Sequence, residues 1–520
     1  MSVRDPRALD DELMPETHRT RPWPTPASSP NALYAGERSL YSAQVDGPPQ
    51  LAVALSGGGN RAAAFSIGVL GGLHHSAALD DVDIISAVSG GSYALSWFLL
   101  QNFYRHGIEP ADVPATRRDA DLFDPHGQYQ QYLEQHATTG GVSDMVMNGA
   151  LGVLFDAVFF NALRLPAFLL GWRAANLLNE SALRSQYREG LQTTYQMTPF
   201  ERPATKDGEF GDGVVQASQH LMLSVSRPPV TFPAMATFAQ QAGLPAFVFN
   251  TTVRPPQPIT SQPIGDRLME FTAAGFGSNS CGYLTWEQTN EYGWEPGDPE
   301  RAGDGFWKKL LRSREASPFA TLRNLNMAPV VSGAALSGTN LTNSAARRFL
   351  GLFNFGLEYA VPNLKSPHRL ARVSDGGHCE NLGAYALLRR QCQTILIVDS
   401  EYDPKLRFPS LRRLIAAAKS ELGLDIAVPD IDTATGADRS AVMVGSVSRD
   451  GTTCGRIVYV KLALDSTAQP GSAPSDVSEY FGRHPDYPQE STANQHFSAA
   501  RFRAYRALGE HYGRIAATRL

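Results

Sequence analysis

LAVALSGGGNRAAAFSIGVLGGL (51–73) and VDIISAVSGGSYALSWFLLQNFYRHG (82–107) decide the fold. Each opens on a short apolar, β-compatible run, passes through a glycine turn and continues as an apolar helix. Strands that alternate with helical patterns mean βαβ crossovers and a parallel sheet. A third unit lies far downstream, where SDGGHCENLGAYALLRRQ (374–391) leads into the apolar strand TILIVDS (394–400). The α/β core is therefore split, with its first pieces at 50–105 and its last around 370–400. The residues between form a large insertion or an extended lobe.

The rest of the chain is organised around that core. Residues 1–48, rich in charge and proline, read as a poorly ordered N-terminal arm. They carry no apolar run of the kind a Sec-type export signal needs, so a cytoplasmic location is expected, with delivery by a dedicated secretion system left open. The main domain is expected over 49–510, with core segments 50–105 and 330–465 and an insertion at about 106–329. Residues 466–520 read as a C-terminal loop and an amphipathic helix, SAARFRAYRALGEHYGRIAATRL, packing on the core. Inside the insertion, MVMNGALGVLFDAVFFNALRLPAFLLGW (145–172) is the most apolar stretch of the protein. It is long enough for a membrane span of about 20 residues. Asp156, Asn161, Arg164 and Pro166 interrupt it, and a central Asp or Arg costs roughly 2.5–3.5 kcal/mol on insertion scales. A buried helical pair, an interfacial membrane-docking element and a true span all remain open.

Composition excludes several classes. Of 520 residues, 42% are hydrophobic and 19% charged, which suits a sizeable core and rules out a disordered or fibrous chain. A net charge of −5 argues against a nucleic-acid binder working through a broad basic surface. The cysteines, Cys281, Cys379, Cys392 and Cys454, are scattered, with no metal-like spacing, and suit a reduced compartment. The acidic segments DDVD (80–83) and DLFDPHG (121–127) lack EF-hand spacing, so no metal and no cofactor are expected.

Three short motifs can carry chemistry. Ser56-Gly57-Gly58-Gly59-Asn60-Arg61 sits at a strand-to-helix turn, where successive backbone N–H groups can converge on an anion. That anion is either a phosphate or the oxyanion of a tetrahedral intermediate; GxxxxGK[ST] and GxGxxG are both absent. Ala87-Val88-Ser89-Gly90-Gly91 places a serine on a sharp turn among small residues, as a nucleophile elbow requires. The usual pattern is G-x-S-x-G, and alanine stands at its first position here. Ser374-Asp375-Gly376-Gly377 puts a carboxylate on a glycine-supported turn, where it can take a serine proton. A plain tight turn, a turn serine and an Asx-type cap are the bland explanations of the same three motifs. Ser56 and Ser92 are nearby serines without the elbow context; His378 reads as a second-layer or helix-start residue and His484 as a loop residue, with assistance to the chemistry the alternative for either.

Taken together the three motifs resemble the patatin-like phospholipase superfamily, closest in style to its cytosolic phospholipase A branch. FNTTV (249–253), VVSGAALSGTN (330–340) and HPDYPQESTANQHF (484–497) look like further blocks of that family. The resemblance implies a three-layer α/β/α core with a mainly parallel sheet and a serine–aspartate dyad without a catalytic histidine. By matched position, Ser89 would be the nucleophile and Asp375 its base and orienter. Gly57, Gly58 and Gly59 would supply the oxyanion hole, and Arg61 would meet a substrate phosphate unless it is an ordinary ion-pair residue. The expected function is a phospholipase A or lysophospholipase acting on fatty-acyl esters at a membrane surface, with 145–172 the candidate docking element. The alternatives are an esterase or thioesterase on soluble substrates, and a catalytically silent lipid-binding protein of the same fold.

Overall fold

The structure is a computed structural model. It describes residues 25–38, 47–106, 120–137, 182–197, 230–254, 263–290, 322–333, 359–365, 370–429, 431, 440–464, 474–491 and 497–520. The apolar stretch 145–172 lies outside the described residues. Among the described residues, no helix is long and apolar enough to cross a membrane.

Helix α1 (Asn31–Arg38) precedes β1 (Leu51–Leu55), α2 (Gly59–His75), β2 (Ile84–Val88) and α3 (Gly90–His106). Helices α4 (Gln128–His136), α5 (Ala182–Thr194) and α6 (Phe232–Ala242) lead to β3 (Ala246–Arg254). The short strands β4 (Leu268–Thr272), β5 (Gly275–Ser278) and β6 (Gly282–Thr285) follow. After helix α7 (Met327–Ser332) come β7 (Tyr359–Pro362), β8 (Leu370–Asp375), helix α8 (Ala384–Arg389) and β9 (Thr394–Asp399). The chain closes with α9 (Pro409–Ala417), β10 (Asp425–Ala427), β11 (Val442–Arg449), β12 (Thr452–Lys461), α10 (Ser475–Arg483) and α11 (Ala499–Ala517).

These strands form one sheet, in the order β10-β11-β12-β9-β1-β2-β3-β4-β5-β6, with β8 pairing with β3 and β7 with β8. Its centre, β12-β9-β1-β2-β3, is parallel throughout. The flanks are antiparallel. Strand β1 is buried on both faces because its neighbours are crossover-connected and helices cover each side. Val53 and Leu55 pack in the cluster that includes residues of α2, α3 and α11. Ala52 and Ala54 point the other way, into the cluster with α8 and α9. The result is the expected three-layer α/β/α arrangement.

Some elements differ from the sequence reading. Within the stretch read as a poorly ordered arm, residues 31–38 form α1, because Glu37 enters a buried ion pair with Arg390 at 2.7 Å. Residues 232–242, inside the expected insertion, form helix α6. Its signals are local: Thr231 caps the Ala234 amide, Pro233 sits in the first turn, and Gly243 ends the helix in the left-handed region. Residues 286–290, also inside the expected insertion, close the β4–β6 meander with a short helical turn.

Candidate active site

Ser89 sits where β2 turns into α3, with φ 48°, a left-handed conformation uncommon for a non-glycine residue. The strain is maintained by what surrounds it. The Ser89 amide donates to Ser332 Oγ at 2.8 Å, and Ser332 Oγ donates in turn to the Asn250 carbonyl at 2.7 Å. Gly90 and Gly91 let this turn lie directly on the neighbouring one: a Cβ on Gly90 would stand 2.1 Å from the Gly59 carbonyl oxygen.

Strand register delivers the carboxylate. Val88 pairs with Asn250 on β3, and the next residue of β3, Thr251, pairs with Asp375 at the end of the antiparallel β8. Residues 286 apart in sequence are thereby brought together, and Ser89 Oγ donates to Asp375 Oδ2 at 2.9 Å. The Gly377 amide donates to the other carboxylate oxygen at 2.6 Å. Burial pushes the Asp375 carboxyl up to about 6, while the bonds from Gly377 and Ser89 pull it down. Such a carboxyl is ionised at neutral pH yet basic enough to hold a proton briefly.

The glycine nest is more specialised than its sequence suggests. Gly58, at φ 144°, and Gly59, at φ 61°, adopt backbone conformations that L side chains rarely reach. Their amides open helix α2, where N–H groups have no partner within the helix. The Gly57 amide is already committed, donating to the Asn381 carbonyl at 2.9 Å.

Arg61 is buried, at 2% exposure. Its guanidinium donates to the Glu490 carbonyl at 2.6 Å and the Ser400 carbonyl at 2.8 Å, and lies over the Tyr402 ring. It ties the start of α2 to the loop after β9 and to the 484–491 segment. Ser56 and Ser92 are fully buried. Ser56 Oγ accepts from the Ser400 amide, and Ser92 Oγ donates to Ser332 Oγ. His378 Nδ1 lies 3.3 Å from Ser374 Oγ, and His484 stacks on Tyr480.

Sequence reading missed three groups. Ser332 stands within the family-like block VVSGAALSGTN, of which only residues 330–333 are described, but nothing local revealed that it holds the Ser89 amide. The hydroxyls of Tyr93 on α3 and Tyr187 on α5 meet in the buried site, and Tyr187 donates to the Gly333 carbonyl at 2.7 Å. Asn381 lies against the nest, six residues beyond Asp375.

With its large central sheet, parallel at the core and covered by helices, the chain is similar to the patatin-like phospholipase fold. It is similar to the human GIVD cytosolic phospholipase A2, with TM-score 0.55 and 12% identity, over 94% of this chain and 65% of that one. It is also similar to the same human enzyme in complex with methyl gamma-linolenyl fluorophosphonate, with TM-score 0.51 and 13% identity, over 94% and 61% of the two chains. The chain thus spans less than two thirds of the length of these solved structures. No family model matches the sequence, and no curated protein does.

Proposed function

We propose that the protein is a lipid acyl hydrolase of the phospholipase A or lysophospholipase type, with Ser89 as nucleophile and Asp375 as its base. The observation that carries this reading is the 2.9 Å bond from Ser89 Oγ to Asp375 Oδ2 at a strained elbow. The fold it shares with a cytosolic phospholipase A2 supports the substrate class.

In the proposed reaction Ser89 Oγ attacks the ester carbonyl carbon and its proton passes to Asp375. The carbonyl oxygen, now negative, accepts from the amides of Gly58 and Gly59. Asp375 returns the proton to the departing alcohol oxygen, leaving the fatty acyl group on Ser89. Water, deprotonated by Asp375, then releases the fatty acid and restores the serine. A single donor to such an oxyanion contributes roughly 2.7–4 kcal/mol. Gly57 shapes the nest, and its own amide holds the loop in place. Arg61, with its guanidinium bonded to two backbone carbonyls, is assigned a structural part in this scheme and not a phosphate contact. Docking at a membrane surface is assigned to residues 145–172, with the chain acting from the cytoplasmic side as a peripheral protein.

The test is fatty-acid release from mixed phospholipid vesicles by the wild type, Ser89→Ala and Asp375→Ala, each checked for folding. Release that both substitutions abolish is the expected result. Activity confined to short soluble esters would replace the phospholipase reading with an esterase. Wild type and variants equally inert on every ester would leave a lipid-binding protein of this fold.

A further inference from the structure

The nest loses one of its three amides to a structural bond, and the group that takes it is Asn381. Its backbone is held firmly. The carbonyl accepts from Gly57, and the preceding Glu380, itself buried, accepts from the Leu382 amide at 2.6 Å and the Tyr385 amide at 3.2 Å. The side chain then has one place to go. A Cβ on Gly57 would lie 2.3 Å from Asn381 Oδ1 and 3.2 Å from Ser89 Cβ. A Cβ on Gly377 would lie 2.7 Å from the same Oδ1 and 3.0 Å from Asp375 Oδ1. The carboxamide therefore fills the gap between two glycines, one bordering the nucleophile and one bordering the base.

Asn381 is only part-buried, and no described residue hydrogen-bonds to its carboxamide. A carboxamide has two N–H donors and a carbonyl acceptor. Oδ1 is the carboxamide atom nearest the two glycines, and a half-turn of the carboxamide about its Cβ–Cγ bond puts an Nδ2–H donor in that place, beside Ser89 and Asp375. An unsatisfied donor with a fixed backbone, next to a nucleophilic serine, is placed as a preorganised oxyanion ligand.

We infer that Asn381 is a further catalytic residue, whose Nδ2–H group donates to the substrate carbonyl oxygen as it becomes the oxyanion, beside the amides of Gly58 and Gly59. The inference rests on the hydrolase reading above and names one more donor in that site. Asn381 forms no new covalent bond and moves no proton, and its bond to the oxygen strengthens as charge develops there. The oxyanion site is then two backbone amides and one side chain, drawn from both sides of the serine.

The test uses the full chain and a short soluble aryl ester, so that vesicle docking does not enter. Asn381→Ala is expected to lower kcat by about 10²–10³-fold while KM moves less than about threefold. Asn381→Asp, nearly isosteric but with a repelling carboxylate, is expected to lose at least as much. The acid limb of the pH profile and the thermal midpoint should stay in place for Asn381→Ala, because a merely structural asparagine would disturb one or both. Turnover that depends on Ser89 but is unchanged in both variants overturns this inference alone. A loss expressed in KM, or accompanied by a shifted pH limb, also overturns it, since Asn381 would then act on binding or through Asp375. Absence of any Ser89-dependent turnover in the wild type overturns the hydrolase reading and this inference with it.

Discussion

At the scale of single residues the site holds one deliberately expensive group. Asp375 is buried and its carboxyl is raised to about 6, so the folded protein binds its proton more tightly than the unfolded chain does. Stability from this residue is therefore fully present below about pH 4 and is lost as the pH climbs through 6. A shift of this size corresponds to about 3 kcal/mol. Asp375→Asn should be more stable than wild type at pH 8 by up to that amount, and the gap should close near pH 4. Urea unfolding at the two pH values checks this, and a wild type as stable as the variant at pH 8 would contradict it. The same ionisation predicts that kcat/KM of the wild type falls on the acid side with an apparent pKa near 6.

At the scale of elements, two contacts hold the layers in place. The more extensive is between α2 and α11, which meet through glycines spaced four apart on each helix. A Cβ on Gly68 would lie 2.0 Å from the Arg506 carbonyl oxygen, and one on Gly72 would lie 2.4 Å from that of Glu510. Gly509 and Gly513 approach the Phe65 and Val69 carbonyls in the same way, at 2.1 and 2.5 Å. Backbones this close leave no room for a methyl group. Gly509→Ala should destabilise the protein by about 1–3 kcal/mol or more, as overpacking does. Gly482→Ala, on α10 with nothing within 4 Å of the added carbon, should be neutral or slightly stabilising. Equal unfolding midpoints for the two variants would refute the packing argument. The second contact fastens α1: Arg390 is paired with Glu37 and with Glu270, both at 2.7 Å, under the Tyr34 ring.

At the scale of the whole molecule, the parallel centre of the sheet places Ser89 and the glycine nest at the carboxyl ends of adjacent strands, where open α/β sheets bind ligands. Described parts of the expected insertion press on that end, where Tyr187 reaches Tyr93 and Tyr195 donates to Asn60 Oδ1 at 2.7 Å, while Ser332, at the start of the second core segment, holds the elbow. If residues 145–172 dock the protein on lipid, the wild type should sediment with phosphatidylcholine vesicles. Replacing Phe159 and Phe160 by serine should weaken that binding at least about tenfold, since each buried aromatic contributes roughly 1.5–3 kcal/mol. Hydrolysis of a short soluble ester should be unaffected. Collapse of that activity would instead place the segment in the core, and undiminished sedimentation would remove it from docking.

What the sequence determined by itself was local. Strand, glycine turn and helix are written in consecutive residues at 51–73, 82–107 and 374–400, and each motif is a turn whose backbone needs small residues. The class of fold and the candidate pair Ser89 and Asp375 were therefore legible, as was the possibility that Arg61 is structural. Tertiary structure alone decided what depends on partners distant in the chain. Only the register of β2, β3 and β8 brings Asp375 to Ser89, and only the approach of the 376–383 segment takes the Gly57 amide and sets Asn381 beside the nest. Ser332 at the elbow and Glu37 against Arg390 likewise give no local signal. A hydrogen bond or ion pair across some 240 or 350 residues leaves no periodicity in either segment, because its energy depends on geometry that the whole sheet imposes.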